Sequence, residues 1–240
     1  MDSSRIKLVA FDLDGTLTQH KSPLSAEARA ALDALGRTRR LLMVGAGNCR
    51  RIFTQMGNYP IDILGNYGLQ YAEYDPSVRD IRFVFDKRLP CDRESVLRRA
   101  NAFRAAHGFT EFAGDSVEFH DSGVVTIALL GTKAVLADKL AFDPDRSRRR
   151  AVYDEVRALF PDYKVFVGGS SSFDMAPAPY DKAYALSALC AERGLAHDAV
   201  LYVGDDYGPG GNDESVFQSD FPFLPIDDYR DTPARLGVLL

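Results

Sequence analysis

Phe11-Asp12-Leu13-Asp14-Gly15-Thr16-Leu17-Thr18 is the stretch on which the reading of this chain turns. The apolar run Leu8-Val9-Ala10-Phe11 leads directly into it and reads as a short buried strand of a parallel sheet. The strand stops at the two aspartates, and Gly15 permits a sharp turn. Carboxylates at the carboxyl end of a parallel strand lie where ligands bind in open α/β sheets. At i and i+2 they are close enough to share one divalent cation, and a hard cation such as Mg²⁺ takes oxygen ligands and also binds phosphate. One carboxylate is then a candidate nucleophile, its charge offset by the metal. The other is a candidate proton donor and acceptor. A lone Asp-x-Asp is more often a strand followed by an Asx turn; the whole string with its apolar strand is far more specific.

Outward from this stretch the same unit repeats. Ser25 is placed to cap a helix with Ala28, Ala31, Leu32 and Leu35 at helical spacing, closed by Gly36. Leu41-Leu42-Met43-Val44 is the next buried strand and ends in Gly45-Ala46-Gly47-Asn48, with Asn48 capping a helix through Ile52, Phe53 and Met56. A glycine-rich turn into a helix is a natural anion site or simply a tight turn, and the two readings are balanced here. Ile61-Asp62-Ile63-Leu64 is a third short strand.

Near residue 84 alternation replaces solid apolar runs, as in an antiparallel sheet with one wet face. Ile81–Phe85 leads into this region. Asp92 is placed to cap a helix with Val96, Ala100 and Phe103. Val117–His120 and Val124–Ala128 flank Asp121-Ser122-Gly123 as a hairpin. Asp143-Pro144 opens a helix with Val152, Val156 and Leu159 on one face, and Arg146, Arg148, Arg149 and Arg150 read as its solvated side. Tyr163–Val167 is the following strand. The parallel pattern then resumes with a helix from Asp181-Lys182 to Gly194 and a buried strand, Ala199–Val203. A short strand at Phe223–Ile226 and a helix from Thr232-Pro233 complete it. The expected organisation is a discontinuous α/β core, residues 1–83 and 180–240, with an α+β domain inserted at 84–179.

The chain has 240 residues, is 46% hydrophobic and 26% charged, and carries a net charge of -5. Those values are ordinary for a globular protein and give no basic face for nucleic acid. They also give no reason to expect an anionic membrane surface as partner. No apolar run approaches the roughly 20 residues of a membrane helix, and Met1-Asp2-Ser3-Ser4-Arg5 has no signal-peptide core. The three cysteines, Cys49, Cys91 and Cys190, show no metal or redox pairing. A cytoplasmic location is the expectation.

Two further positions match the first stretch. Lys182 stands at a helix start, where the helix dipole disfavours a cation. Near a phosphate-bearing aspartate it would offset charge that builds up in transfer. Asp205 ends a buried strand as Asp12 does and is a candidate metal carboxylate, with Asp206, Asn212 and Asp213 in the loop that follows.

Together these residues resemble the haloacid dehalogenase (HAD) superfamily over the full chain. Val167-Gly168-Gly169-Ser170-Ser171-Ser172-Phe173-Asp174 with Asp181-Lys182, and Tyr207-Gly208-Pro209-Gly210-Gly211-Asn212-Asp213-Glu214, look like the corresponding segments of eukaryotic-type phosphomannomutases. The resemblance implies a Rossmann-like core with an inserted α/β cap. It implies Asp12 as nucleophile through an aspartyl phosphate and Asp14 as acid and base. Mg²⁺ would be held by Asp12, Asp205 and the Asp14 carbonyl. Thr16, Lys182 and the Gly47-Asn48 turn would place the phosphate, and Ser172 and Asp174 would contact a sugar. Family members often pair through their caps, so a homodimer is a further expectation.

Some positions depart from the family. Gly47 stands where the second motif carries a serine, and loss of one such donor typically costs ~10²–10³ in kcat. Lys21, His120 and Thr132 stand where mutases carry arginines that hold the far phosphate of a sugar bisphosphate, and guanidinium recognition is not reproduced by those side chains. Lys133 or the run Arg146–Arg150 could compensate. The expectation is therefore a Mg²⁺-dependent phosphatase of a sugar phosphate or similar small metabolite. A hexose phosphomutase is the alternative, and a catalytically impaired binding or regulatory protein, motivated by Gly47, is the third reading.

Overall fold

The computed structural model describes residues 3–239; Met1 and Asp2, on which the N-terminal reading partly rests, lie outside them. β1 (Leu8–Phe11) is buried at every position. Successive side chains of a strand point to opposite faces, so Val9 and Phe11 enter one apolar cluster while Leu8 and Ala10 enter another. A strand with two dry faces needs the solid apolar run that the sequence supplies. α1 (Ala26–Leu35) begins at Ser25, whose Oγ accepts from the Ala28 amide, and buries Ala28, Leu32 and Leu35. β2 (Arg40–Val44), α2 (Cys49–Gln55, capped by Asn48) and β3 (Asp62–Gly65) follow, and the strands pair in parallel.

β4 (Gln70–Asp75) and β5 (Asp80–Asp86) then form an antiparallel hairpin on the β3 edge. This differs from the sequence expectation, which placed no strand at 70–75 and drew a boundary at 84, inside β5. β5 is the outermost strand and buries only Ile81, leaving Phe83 and Val84 exposed. An edge strand wet on both faces loses the apolar pattern of its sheet, and that loss resembles the start of another domain.

The chain divides into two compact units: one of Met1–Lys87, Asp181–Gly208 and Asp213–Leu240, the other of Arg88–Tyr180 with Pro209–Asn212. The second unit contains α3 (Arg93–Ala106), β6 (Val117–Phe119) and β7 (Val125–Ala128), then α4 (Leu136–Phe142), α5 (Ser147–Arg150) and α6 (Tyr153–Leu159). β8 (Tyr163–Phe166) and β9 (Ser172–Pro177) complete it. Its four-stranded sheet runs β6-β7-β9-β8, all antiparallel. Asp92 caps α3, and residues 117–128 form the expected hairpin.

The single helix expected from Asp143 is broken. Arg146 takes a left-handed conformation, φ 62°, and the chain kinks again at Val152. The break overturns the solvated reading of Arg149. Its side chain is 1% exposed and ion-paired with Asp143 at 2.7 Å. Its Nη1 donates to the carbonyls of Gly168, Gly169 and Ser172. The first two carbonyls lie in the turn between β8 and β9 and the third at the start of β9, and a guanidinium carries enough donors to satisfy several at once.

The first unit resumes with α7 (Lys182–Arg193), β10 (Val200–Gly204), α8 (Glu214–Phe217), β11 (Phe223–Pro225) and α9 (Thr232–Leu236). Its seven-stranded sheet has the order β11-β10-β1-β2-β3-β4-β5, parallel from β11 to β3. β10 lies beside β1 with Phe11 opposite Val203. Asp12 and Asp205 therefore leave adjacent parallel strands at the same end of the sheet. No helix among the described residues is long and apolar enough to cross a membrane.

Candidate active site

At that end Lys182, the first residue of α7, reaches two carboxylates. Its Nζ donates to Asp12 Oδ1 at 2.6 Å and to Asp213 Oδ1 at 2.7 Å, and the lysine is 0% exposed. Asp181 caps the helix by accepting from the Tyr184 amide, so the backbone holds the lysine inward against the dipole. Asp213 is saturated. Oδ1 also accepts from the Tyr202 hydroxyl at 2.6 Å, and Oδ2 accepts from the amides of Asp205 and Asp206. Asp213 thus fixes both the lysine and the backbone that carries Asp205.

Asp12, Asp205 and Asp213 present carboxylate oxygens within 4.8 Å of one another. Burial raises the Asp12 carboxyl above its ordinary value; Lys182 opposes the shift, and Asp213 and Asp205 add to it. Burial, then Asp213, pushes Asp205 up to about 7. For Lys182 burial acts downward, but Asp12 and Asp213 outweigh it and the net shift is upward. The shifts have one origin: three carboxylates share a dry site with one ammonium, so negative charge is in excess. Such a donor set fits a divalent cation. Lys182 bonds Asp12 at Oδ1 and Thr16 bonds Asp205 at Oδ1, and carboxylate oxygens are hard ligands. Gly15 makes room for this set. Its φ of +101° suits glycine, and a Cβ there would overlap the Asp205 carboxylate.

Thr16, fully buried, donates from Oγ1 to Asp205 Oδ1 at 2.8 Å, so its hydroxyl orients the second strand's carboxylate. Asp14 is tied differently. Its Oδ1 accepts from the Lys21 backbone amide and from Gln55 Nε2, each at 2.7 Å, and Oδ2 lies 3.6 Å from Arg51 Nη1. Lys21 reaches the site through its backbone. Asn48 Oδ1 accepts from the Arg51 amide at 2.8 Å and so serves as helix cap. Gly47 leaves an open space that the Arg51 guanidinium fills.

The remaining candidate residues lie in the second unit. His120 Nε2 meets Thr126 Oγ1 at 3.3 Å, and Thr126 Oγ1 donates to Asp174 Oδ1 at 2.9 Å. The β7–β9 register explains this group, because Thr126 faces Asp174 directly. Ser172 Oγ donates to the Gly168 carbonyl at 3.0 Å. Thr132 sits apart: its hydroxyl accepts from the Asp115 amide at 3.0 Å. Asn212 belongs to the Pro209–Asn212 segment of this unit.

Sequence reasoning missed Arg51, Gln55 and Tyr202. Arg51 and Gln55 are four residues apart on α2, the spacing at which helix side chains meet, and Nη1 of the first donates to Oε1 of the second at 3.0 Å. A phenol inside the apolar run 199–203 was the available signal for Tyr202.

The model of the family described as eukaryotic phosphomannomutase matches residues 109–223. A phosphomannomutase of Schizosaccharomyces pombe is 26% identical over 225 residues, spanning 88% of this chain and 84% of that protein. Human phosphomannomutase 1 is 24% identical over 224 residues, 88% and 82% of the two chains. Among solved structures, a haloacid dehalogenase-like hydrolase from B. subtilis superposes with a TM-score of 0.65 at 14% identity, over 98% of this chain and 100% of that one. The Plasmodium falciparum IMP-nucleotidase with IMP bound gives 0.69 at 14% identity, over 98% and 68%. The fold is that of these haloacid dehalogenase-like hydrolases. The sequence is phosphomannomutase-like, and together the similarities support an enzyme of phosphatase or phosphomutase type.

Proposed function

We propose that the protein is a Mg²⁺-dependent hexose phosphomutase working through an aspartyl phosphate on Asp12. The observation that carries the reading is Asp12 itself: buried, held at Oδ1 by Lys182, with a carboxylate oxygen within 4.8 Å of one on Asp205 in a site of excess negative charge. One Asp12 oxygen forms a bond to phosphorus as the phosphorus–sugar oxygen bond breaks, and Asp14 gives its proton to the departing sugar oxygen. In the second half Asp14 takes the proton of an incoming hydroxyl, that oxygen bonds phosphorus, and the Asp12–phosphorus bond breaks. Lys182 offsets charge on the Asp12 side throughout. Bound Mg²⁺, on Asp12, Asp205 and Asp14, would neutralise charge on the phosphoryl oxygens.

Two considerations favour a mutase over the phosphatase expected from sequence. The relatives named as phosphomannomutases align over nearly the whole chain. The turn at Thr132 also has a cation of its own: Lys139 Nζ donates to the Thr132 carbonyl at 3.1 Å. The phosphatase remains the second reading, motivated by Lys21, His120 and Thr132 in place of guanidinium groups. Phosphorus NMR with Mg²⁺ and mannose 1-phosphate separates them. Conversion to the 6-phosphate only with added hexose 1,6-bisphosphate is the expected result. Free phosphate without bisphosphate means a phosphatase. Full activity of Asp12→Asn would overturn both.

A further inference from the structure

We infer that Arg51 is a substrate-phosphate ligand, supplying from the space over Gly47 the donor that a side chain at position 47 would otherwise provide. The inference deepens the reading of Asp12 and Asp14 given above and rests on it.

The geometry is local and mutually exclusive. A Cβ on Gly47 would overlap the Nη2, Nε and Cζ atoms of Arg51. The guanidinium stands in that space because Gly47 has no side chain, and a larger residue would have to evict it. Its position is set by its own helix. Nη1 donates to Gln55 Oε1 at 3.0 Å, while Gln55 Nε2 donates to Asp14 Oδ1 at 2.7 Å and to the Ser22 carbonyl at 3.0 Å. Gln55 therefore fastens the cation and the proposed acid into one group.

Arg51 is not spent on Asp14. The separation of 3.6 Å from Nη1 to Asp14 Oδ2 is an ion pair without a hydrogen bond. Nε and Nη2 are turned toward Gly47 and, among the described residues, hold no hydrogen bond. The side chain is 43% exposed, so an arriving ligand can reach it. A phosphate ester carries more charge than one carboxylate and accepts two parallel N–H donors. Asn48, the other candidate for this role, caps α2 through Oδ1, and its remaining donor is a neutral amide, weaker toward phosphate than a guanidinium.

The test is steady-state kinetics with Mg²⁺ on mannose 1-phosphate in the presence of hexose 1,6-bisphosphate, following both the 6-phosphate and free phosphate, with orthovanadate as inhibitor. Wild type is compared with Asp12→Asn, Arg51→Ala, Arg51→Lys and the double variant Gly47→Ser/Arg51→Ala, each checked for an unchanged circular dichroism spectrum. Arg51→Ala is expected to lose ~10²-fold in kcat/KM and to bind vanadate correspondingly less well. Free guanidinium should restore about tenfold of that loss, and the double variant should exceed Arg51→Ala by a similar factor, its serine occupying the vacated space. Arg51→Ala within about twofold of wild type overturns the inference. So does a loss that neither guanidinium nor the serine relieves, since that marks a structural role. If wild type itself shows no turnover that Asp12→Asn abolishes, the reading of Asp12 falls, and the inference with it; that outcome is separate from a failure confined to Arg51.

Discussion

The carboxylate site of the first unit and the polar group on the second unit's sheet are built on opposite plans. In the first, Lys182 and Asp213 are 0% exposed and Asp213 accepts from four donors. Asp213 ties Lys182, Tyr202 and the Asp205–Asp206 backbone together, and removing it leaves a buried charge unmatched. On the second, His120, Thr126 and Asp174 form a chain of two contacts on half-buried positions. Water can replace any lost partner there. Chemistry that every substrate shares calls for the first plan. Recognition of a particular substrate tolerates the second, and two of the departures from the phosphomannomutase pattern, His120 and Thr132, lie in that unit.

The sharpest way to break the contrast is Asp213→Ala. It strips a partner from buried Lys182 and an acceptor from Tyr202 and two amides. A stability loss of about 3–5 kcal/mol is expected in denaturant unfolding, and a loss under 1 kcal/mol would mean the network is not over-determined.

Metal binding gives the next effect. Asp205 is pushed from its ordinary 3.8 up to about 7. In the metal-free protein the folded state holds a proton across that interval which the unfolded chain has released. Stability should therefore fall as pH rises through the interval and level off above about 7. Mg²⁺ needs the deprotonated carboxylate, so its stabilising effect should grow in the same direction. At a hundredfold excess over Kd it should approach about 2.7 kcal/mol. Calorimetric melting at about pH 5 and about pH 8, with and without Mg²⁺, checks this; a larger Mg²⁺ effect at the lower pH would contradict it.

The smallest effect belongs to the second unit. Thr126→Val keeps the β-branched shape and deletes the hydroxyl between His120 and Asp174. It should cost about 1 kcal/mol of stability, and a rise in KM with kcat unchanged would place the group in substrate binding. A larger loss of kcat than of stability would bring that group into the chemistry and erase the distinction.

The elements that sequence reading found are those whose signals are local. Ser25, Asn48, Asp92 and Asp181 each cap a helix by accepting from an amide three residues on, a relation contained in a few consecutive residues. β1, β2 and β10 declare themselves as apolar runs because both of their faces are dry. The β4–β5 hairpin did not, since its outer strand has almost no dry face. Arg149 was misread for a related reason: four arginines within five positions look solvated unless the helix is known to break at the first of them.

The sequence by itself determined the strands of the parallel core and the residues that end them: Asp12 and Asp14 after β1, Asp205 after β10, and Lys182 at the head of α7. Only the tertiary structure decided what those residues do to one another. Lys182 meets Asp12 across 170 positions of chain, and Thr16 meets Asp205 across 189. Caps and periodicity are set within a turn or two of backbone, whereas charge, burial and proton affinity depend on whatever strand order brings alongside. The same holds at Gly47, where the sequence records a missing side chain and the fold alone reveals that Arg51 fills its place.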